Sequence, residues 1–174
     1  MKLIIDFGNT FTKLAVFKQE AIIEQYQFIH LKITDLITIS EKYPDISSVM
    51  ISSVIDYPVE IKLHLKSRYS FFELDSNTPI PIINRYKSPE TLGKDRIAAV
   101  VAANNLFPNE NVLVIDAGTC ITFDFLNDKK EYLGGAITPG LKIRFKALHE
   151  FTNNLPLVEV KKVEYLMNQL ILII

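Results

Sequence analysis

Hydrophobic and polar positions in the first thirty residues fall into three short β-type runs. Residues 2–5 are an apolar run ending at Asp6, Gly8-Asn9-Thr10 is a turn signal, and residues 12–17 are rich in β-formers. After the polar turn Lys18-Gln19-Glu20, residues 21–29 give a third strand, so the opening reads as an antiparallel meander. The period then changes: Leu31, Leu36, Ile39 and Tyr43 recur near helical spacing, which predicts a helix over 31–43 stopped by Pro44. Residues 49–53 predict a compact strand, 58–67 a helix with Ile61 and Leu65 on one face, and 69–74 another strand. Pro79, Pro81 and Pro89 make 75–91 an extended, turn-rich connection, and the Ala-rich stretch 95–106 predicts a helix.

The opening pattern then returns. Residues 111–115 are an apolar run leading into Asp116-Ala117-Gly118-Thr119. A second strand over 121–126, a polar turn at 127–130, a third strand near 131–137 and a helix from about Leu141 follow. Each copy has an apolar strand, a terminal Asp, one intervening residue, Gly, small polar residues, a second strand, a polar turn and a third strand. Such self-similarity is the signature of a duplicated β-meander unit. Two α/β units are expected, over 1–108 and 109–174.

Composition narrows the function classes. The chain has 174 residues, 48% hydrophobic and 22% charged, enough for a globular core. Nineteen Lys plus Arg against twenty Asp plus Glu leave a formal charge of −1, which argues against nucleic acid or an anionic membrane as a general electrostatic partner. No apolar run approaches the roughly 20 residues that span a bilayer. Cys120 is the only cysteine and no leader-like segment opens the sequence, so a reducing cytoplasm is the expected setting. His30, His64 and His149 are scattered, and no zinc site is expected.

The repeated hairpin suits phosphate. A phosphate needs backbone N–H donors at close range, which Gly8 and Gly118 permit because they lack Cβ, and Thr10 and Thr119 add hydroxyl donors. Asp6 and Asp116 stand where strand meets turn, in place to hold a cation or cation-bound water, and two such hairpins can clamp one nucleotide. Lys13 can neutralise phosphate, although a strand lysine is also an ordinary solvated residue. Asp-x-Gly alone is an ordinary turn; its repetition at equivalent positions favours ligand binding.

Four segments together resemble type III pantothenate kinases, within the acetate and sugar kinase, Hsp70 and actin superfamily. They are Asp6-Phe7-Gly8-Asn9-Thr10, Gly93-Lys94-Asp95-Arg96, Asp116-Ala117-Gly118-Thr119 and Gly134-Gly135-Ala136-Ile137-Thr138-Pro139-Gly140. The resemblance implies two ribonuclease-H-like, actin-like ATPase domains, each a mixed five-stranded sheet with helices, and a nucleotide cleft between them. It implies transfer of the ATP γ-phosphoryl group to the 4′-hydroxyl of pantothenate, the first step towards coenzyme A. By the same resemblance, Asp6, Phe7, Gly8, Asn9, Thr10, Phe11, Thr12 and Lys13 form the ATP-phosphate hairpin, and Thr119 contacts ATP. Asp116 holds a monovalent cation, K⁺ or NH₄⁺, alongside Mg²⁺ with ATP. Tyr86, Gly93, Lys94 and Arg96 bind pantothenate, Asp95 is the catalytic base, and the expected assembly is a homodimer.

The chemistry of those residue types agrees. Phosphoryl transfer relies on in-line positioning and charge stabilisation, with a carboxylate to take the attacking hydroxyl's proton. Asp95 opens the predicted helix just after Gly93, and Arg96 offers a bidentate fork to a carboxylate. Read without the family, Asp95 would be a residue facing the helix dipole and Arg96 a surface residue. The sequence also departs from the pattern: after Leu155-Pro156-Leu157 the family's next helix is not recognisable, and 163–174 looks foreign. The expectation is a shortened chain with an incomplete second domain, whose Leu166, Leu170, Ile171, Leu172, Ile173 and Ile174 expose apolar surface. The alternatives to a working kinase are a non-catalytic nucleotide-binding regulatory protein or an inactive fragment of the same fold.

Overall fold

The computed structural model describes residues 1–159. The apolar tail residues Leu166 and Leu170 to Ile174 lie outside that range. The chain packs into two compact units, one of Met1–Thr78 with Gly93–Asp95 and one of Pro79–Leu92 with Arg96 onward.

The first unit contains β1 (Lys2–Phe7), β2 (Thr12–Lys18), β3 (Ala21–Phe28), α1 (Ile33–Lys42), β4 (Ser48–Ser53), α2 (Val59–Arg68) and β5 (Ser70–Glu73). Its five-stranded sheet has the order β3-β2-β1-β4-β5. The β1-β2-β3 meander is antiparallel, while β4 lies parallel to β1 and β5 parallel to β4. Alternation decides what is inside. Leu3, Ile5 and Phe7 of β1, Leu14 and Val16 of β2, and Val49 and Ile51 of β4 pack with Leu36 and Ile39 of α1 and Ile61 and Leu65 of α2. Each such side chain contributes about 1.5–3 kcal/mol through burial. Before α1, the Lys32 backbone N–H donates to Asp35 Oδ2 at 2.8 Å, so the first-turn carboxylate closes the helix start.

The second unit holds β6 (Ile83–Asn84), α3 (Lys94–Leu106) from Arg96 onward, β7 (Val112–Ala117), β8 (Cys120–Leu126), β9 (Glu131–Pro139) and α4 (Leu141–Glu150). Its sheet has the order β6-β9-β8-β7, with β7-β8-β9 repeating the antiparallel meander and β6 parallel to β9. The expected five strands are therefore four among the described residues. β6 also falls inside the stretch read as an extended connection. The prolines confine it to two residues, held by Ile83 N–H on the Lys130 carbonyl at 2.8 Å and Arg85 N–H on the Tyr132 carbonyl at 2.9 Å. Ile82, Leu92, Ile97, Val100, Leu126 and Tyr132 form the core of this unit. That core and the β6–β9 pairing group 79–92 and 96–108 with the second hairpin, where the sequence reading joined them to the first. No helix among the described residues is long and apolar enough to cross a membrane.

Candidate functional site

The β1–β2 connection is a tight turn built on Gly8. Phe7 pairs with Thr12 and Asp6 with Lys13 across the hairpin, leaving 8–11 as the loop. Gly8 N–H donates to the Phe11 carbonyl at 3.2 Å, and a Cβ on Gly8 would lie 3.1 Å from that oxygen. Asn9 and Thr10 stand exposed at the tip. Phe7 and Thr12 point inward: Phe7 is 3% exposed and stacks on Tyr57 with centroids 4.4 Å apart, and Thr12 is 5% exposed. Within this hairpin, therefore, those two can offer a ligand backbone groups only. Asp6 and Lys13 share a face and line an open cavity of about 450 Å³ with Gln25 and Gln27.

The β7–β8 connection is built alike but is one residue shorter. Ala117 pairs with Ile121, and Gly118 N–H donates to the Cys120 carbonyl at 2.8 Å. Asp116 lies opposite Thr122, so the charge that Lys13 places beside Asp6 is not repeated. Asp116, Ala117, Gly118 and Thr119 are all exposed. Gly140 presses on this turn: its N–H donates to the Thr119 carbonyl at 3.0 Å, and a Cβ there would stand 2.3 Å from the Gly118 oxygen and 2.5 Å from the Thr119 oxygen. The N-terminus of α4, ten residues long with no side-chain cap, consequently starts beside Gly118 and Thr119. Backbone donors of a hairpin turn and of a helix start are thus assembled in one unit, an arrangement that favours anions.

Gly93, Lys94 and Asp95 group with the first unit and Arg96 with the second, so the division falls in the first turn of α3. Lys94 lines a cavity of about 330 Å³ with Ser53, Asp56, Tyr57, Lys62 and Glu73. There Tyr57 donates to Glu73 Oε1 at 2.8 Å, and burial together with that carboxylate pushes the Tyr57 phenol above its ordinary range. Arg96 has a different setting. Its Nε donates to Asp124 Oδ1 at 2.9 Å and Oδ2 at 3.1 Å, and its Nη2 to Oδ1 at 2.6 Å. The guanidinium carbon lies 5.8 Å from the centroid of the Tyr86 ring, which in turn stacks on Tyr132 at 6.2 Å. Two of the expected substrate residues, Tyr86 and Arg96, are thereby brought together within the second unit.

A family model described as type III pantothenate kinase matches residues 2–170. A protein of that name from Christiangramia forsetii is 48% identical over 162 residues, covering 92% of this chain and 67% of that protein. One from Bacteroides fragilis is 46% identical over 162 residues, covering 92% and 66%. This chain belongs to the type III pantothenate kinase family. It spans about two thirds of the length of those relatives. Among solved structures, a proposed 2-dehydro-3-deoxygalactonokinase from Sinorhizobium meliloti matches with TM-score 0.50 at 14% identity, covering 87% of this chain and 58% of that one. That likeness is one of fold, in keeping with two mixed sheets of ribonuclease-H-like type.

In this type III pantothenate kinase family member, several contributors to the Arg96 cluster escaped the sequence reading. Asp124 is 1% exposed and Tyr132 donates its hydroxyl to Asp124 Oδ1 at 2.6 Å. Burial and that carboxylate push the Tyr132 phenol above its ordinary range, and hydrogen bonds to Asp124 raise the Arg96 guanidinium above its own. Gly134, with φ 98°, lies where an added Cβ would meet Tyr86 Cδ2 at 3.2 Å, and one on Gly135 would fall 1.6 Å from the Phe123 carbonyl oxygen. Both glycines lie within β9; one seats Tyr86 and the other lets β9 close on β8. One signal was present for Asp124: Thr122, Asp124 and Leu126 alternate on one strand face, and a carboxylate at an inward position needs a cationic partner.

Proposed function

We propose that this chain carries the ATP-dependent phosphorylation of pantothenate to 4′-phosphopantothenate, the entry reaction of coenzyme A synthesis. The observation that carries the reading is the paired Gly8 and Gly118 hairpin turns, each two residues beyond an Asp, in a chain of this family. The two turns bind ATP phosphates, Thr10 and Thr119 supplying hydroxyls and the start of α4 adding backbone donors. Arg96 and Tyr86 take the pantothenate carboxylate end, and Asp95 accepts the 4′-hydroxyl proton as the new O–P bond forms and ADP departs. Gly93 allows close approach of the backbone, and Lys94 contributes positive charge.

Among the described residues no three His, Cys, Asp or Glu side chains cluster as a metal cage. Single carboxylates suit hard cations that take their remaining ligands from phosphate and water. Asp6 would face Mg²⁺-bound water and Asp116 would hold K⁺ or NH₄⁺, both neutralising charge on the transferring phosphoryl group. A homodimer in the cytoplasm completes the proposal.

The test is formation of phosphopantothenate by the purified chain with ATP, Mg²⁺ and K⁺, compared with Asp95→Asn. Product from the wild type, reduced by about 10²–10⁴-fold in the variant, is expected. Absence of product from a folded wild-type chain that still binds nucleotide would replace the kinase reading with a non-catalytic nucleotide-binding one.

A further inference from the structure

The two hairpin turns are held by different means. In the second, Ala117 follows Asp116, and the turn is fixed from the start of α4 through the Gly140 N–H on the Thr119 carbonyl. In the first, the residue after Asp6 is Phe7, whose ring stacks on Tyr57 with an interplanar angle of 9°. Loop 8–11 closes through the main-chain bond from Gly8 to Phe11, so its aim depends on the strand end that carries it. That strand end is secured from the β4–α2 connection. Val54 N–H donates to the Phe7 carbonyl at 3.1 Å, and Tyr57, packed against the same core, covers the Phe7 ring. Tyr57 is itself fixed at three points. Pro58 follows it and confines its backbone to the extended region. Its hydroxyl donates to Glu73 Oε1, while Glu73 Oε2 pairs with Lys62 Nζ at 2.5 Å. Ser53 Oγ donates to the Ile55 carbonyl at 2.5 Å and tightens the turn that leads to it. Phe7, 3% exposed, thus meets an aromatic face already set in place, and Gly8 follows it directly in the chain. Ordering of this kind, complete before a ligand arrives, lowers the cost of binding.

We propose that Tyr57 is a positioning residue for the first phosphate hairpin, holding the Gly8 turn through Phe7 in the geometry that receives nucleotide phosphate. The proposal rests on the preceding reading that this turn binds ATP. It also gives Phe7 a part in binding: its ring, turned inward, is the handle by which the turn is aimed.

The experiment uses the full chain labelled with ¹⁵N-glycine; Gly8 is one of six glycines, and its amide signal is assigned by its absence in Gly8→Ala. In the wild type the Gly8 amide, bonded to the Phe11 carbonyl, is expected to exchange slowly with solvent. Tyr57→Leu should speed that exchange about tenfold, and Tyr57→Phe, which keeps the stack and loses the bond to Glu73, about two- to threefold. ADP titrated into the same samples should bind about two- to tenfold more weakly to Tyr57→Leu and within about twofold of wild type to Tyr57→Phe. Ile61→Val, a core change at 2% exposure on α2, separates positioning from general loosening: it should melt lower while leaving Gly8 exchange and ADP affinity as in the wild type. If Tyr57→Leu does not fold, Tyr57→Phe and Phe7→Leu decide on the same two readouts. Unchanged Gly8 exchange in the Tyr57 variants, a faster-exchanging turn that binds ADP as tightly as before, or the same losses in Ile61→Val would overturn the proposal. Gly8 exchange that depends on Tyr57 in a chain whose wild type binds no ADP would uphold the hold on the turn and refute its phosphate role instead.

Discussion

The two glycines of the second hairpin region separate folding from binding. Gly118→Ala adds a Cβ whose nearest neighbour, the Cys120 carbonyl oxygen, is 3.9 Å away, an ordinary contact. Gly140→Ala adds one at 2.3 Å from the Gly118 oxygen, about 1 Å inside the 3.4 Å at which ordinary contact begins. Neither has a positive φ; among the described glycines only Gly134 does. Backbone torsion therefore drops out and close approach remains. Forcing the 118–119 carbonyls aside costs about 1–3 kcal/mol, reduced by about 0.4–1 kcal/mol because alanine narrows the unfolded ensemble. At about 2–4 °C per kcal/mol for a chain of this size, Gly140→Ala should melt up to roughly 10 °C lower, whereas Gly118→Ala, which meets only the ensemble term, should melt about 1–4 °C higher than wild type, leaving the two variants roughly 2–12 °C apart.

Nucleotide titration reverses the order of interest. If phosphate approaches the Gly118 backbone, a methyl group there blocks it although the fold has room, so Gly118→Ala should lose ADP affinity by about tenfold or more without a fall in melting point. Thermal melts and calorimetric ADP titration on both variants measure the two effects. A Gly118→Ala chain that binds ADP as tightly as wild type would refute the phosphate role of the turn, and equal melting points for both variants would refute the packing argument at Gly140.

Two further outcomes are expected from the first unit. The Glu24 carboxylate is held down to a pKa of about 2 by hydrogen bonds from Lys42, Tyr26 and Tyr43. A depressed carboxyl stabilises the fold above its unfolded value of 4.5 and loses that contribution as pH falls towards 2. Glu24→Gln should therefore melt below wild type at pH 7 and converge with it near pH 2; a gap that stays constant from pH 5 to 2 would contradict the linkage. Ile51→Ala removes a side chain at 0% exposure between β1 and β5 and should cost about 2–5 kcal/mol in urea unfolding, a loss under 1 kcal/mol counting against a tightly packed sheet.

How much of this was legible in the sequence depended on how far apart the interacting residues lie. The β1-β2-β3 meander and its repeat in β7-β8-β9 are local patterns, set by alternation and by Gly-containing turns, and their runs in the sequence match the strands closely. The hydrogen-bonding of Gly8 and Gly118 across their turns follows from the same short-range information. β6 was not legible because two residues carry no periodicity; its strand character comes entirely from β9, some 48 positions on in the register Ile83–Glu131. The role of Arg96 was half legible. Its type and its place after Asp95 pointed to a carboxylate, but the one that meets it is Asp124, 28 residues away on β8. A fork read from sequence has no stated partner. Only the folded structure reveals that one edge of the guanidinium is already engaged by Asp124. The same reasoning applies to Gly134 and Gly135, which the sequence places in a third strand near 131–137 without indicating why glycine stands there; in β9 one admits Tyr86 and the other the neighbouring strand. Chemistry-bearing residue types announce themselves in a chain of this kind, while the geometry that makes them selective is written in contacts between distant strands.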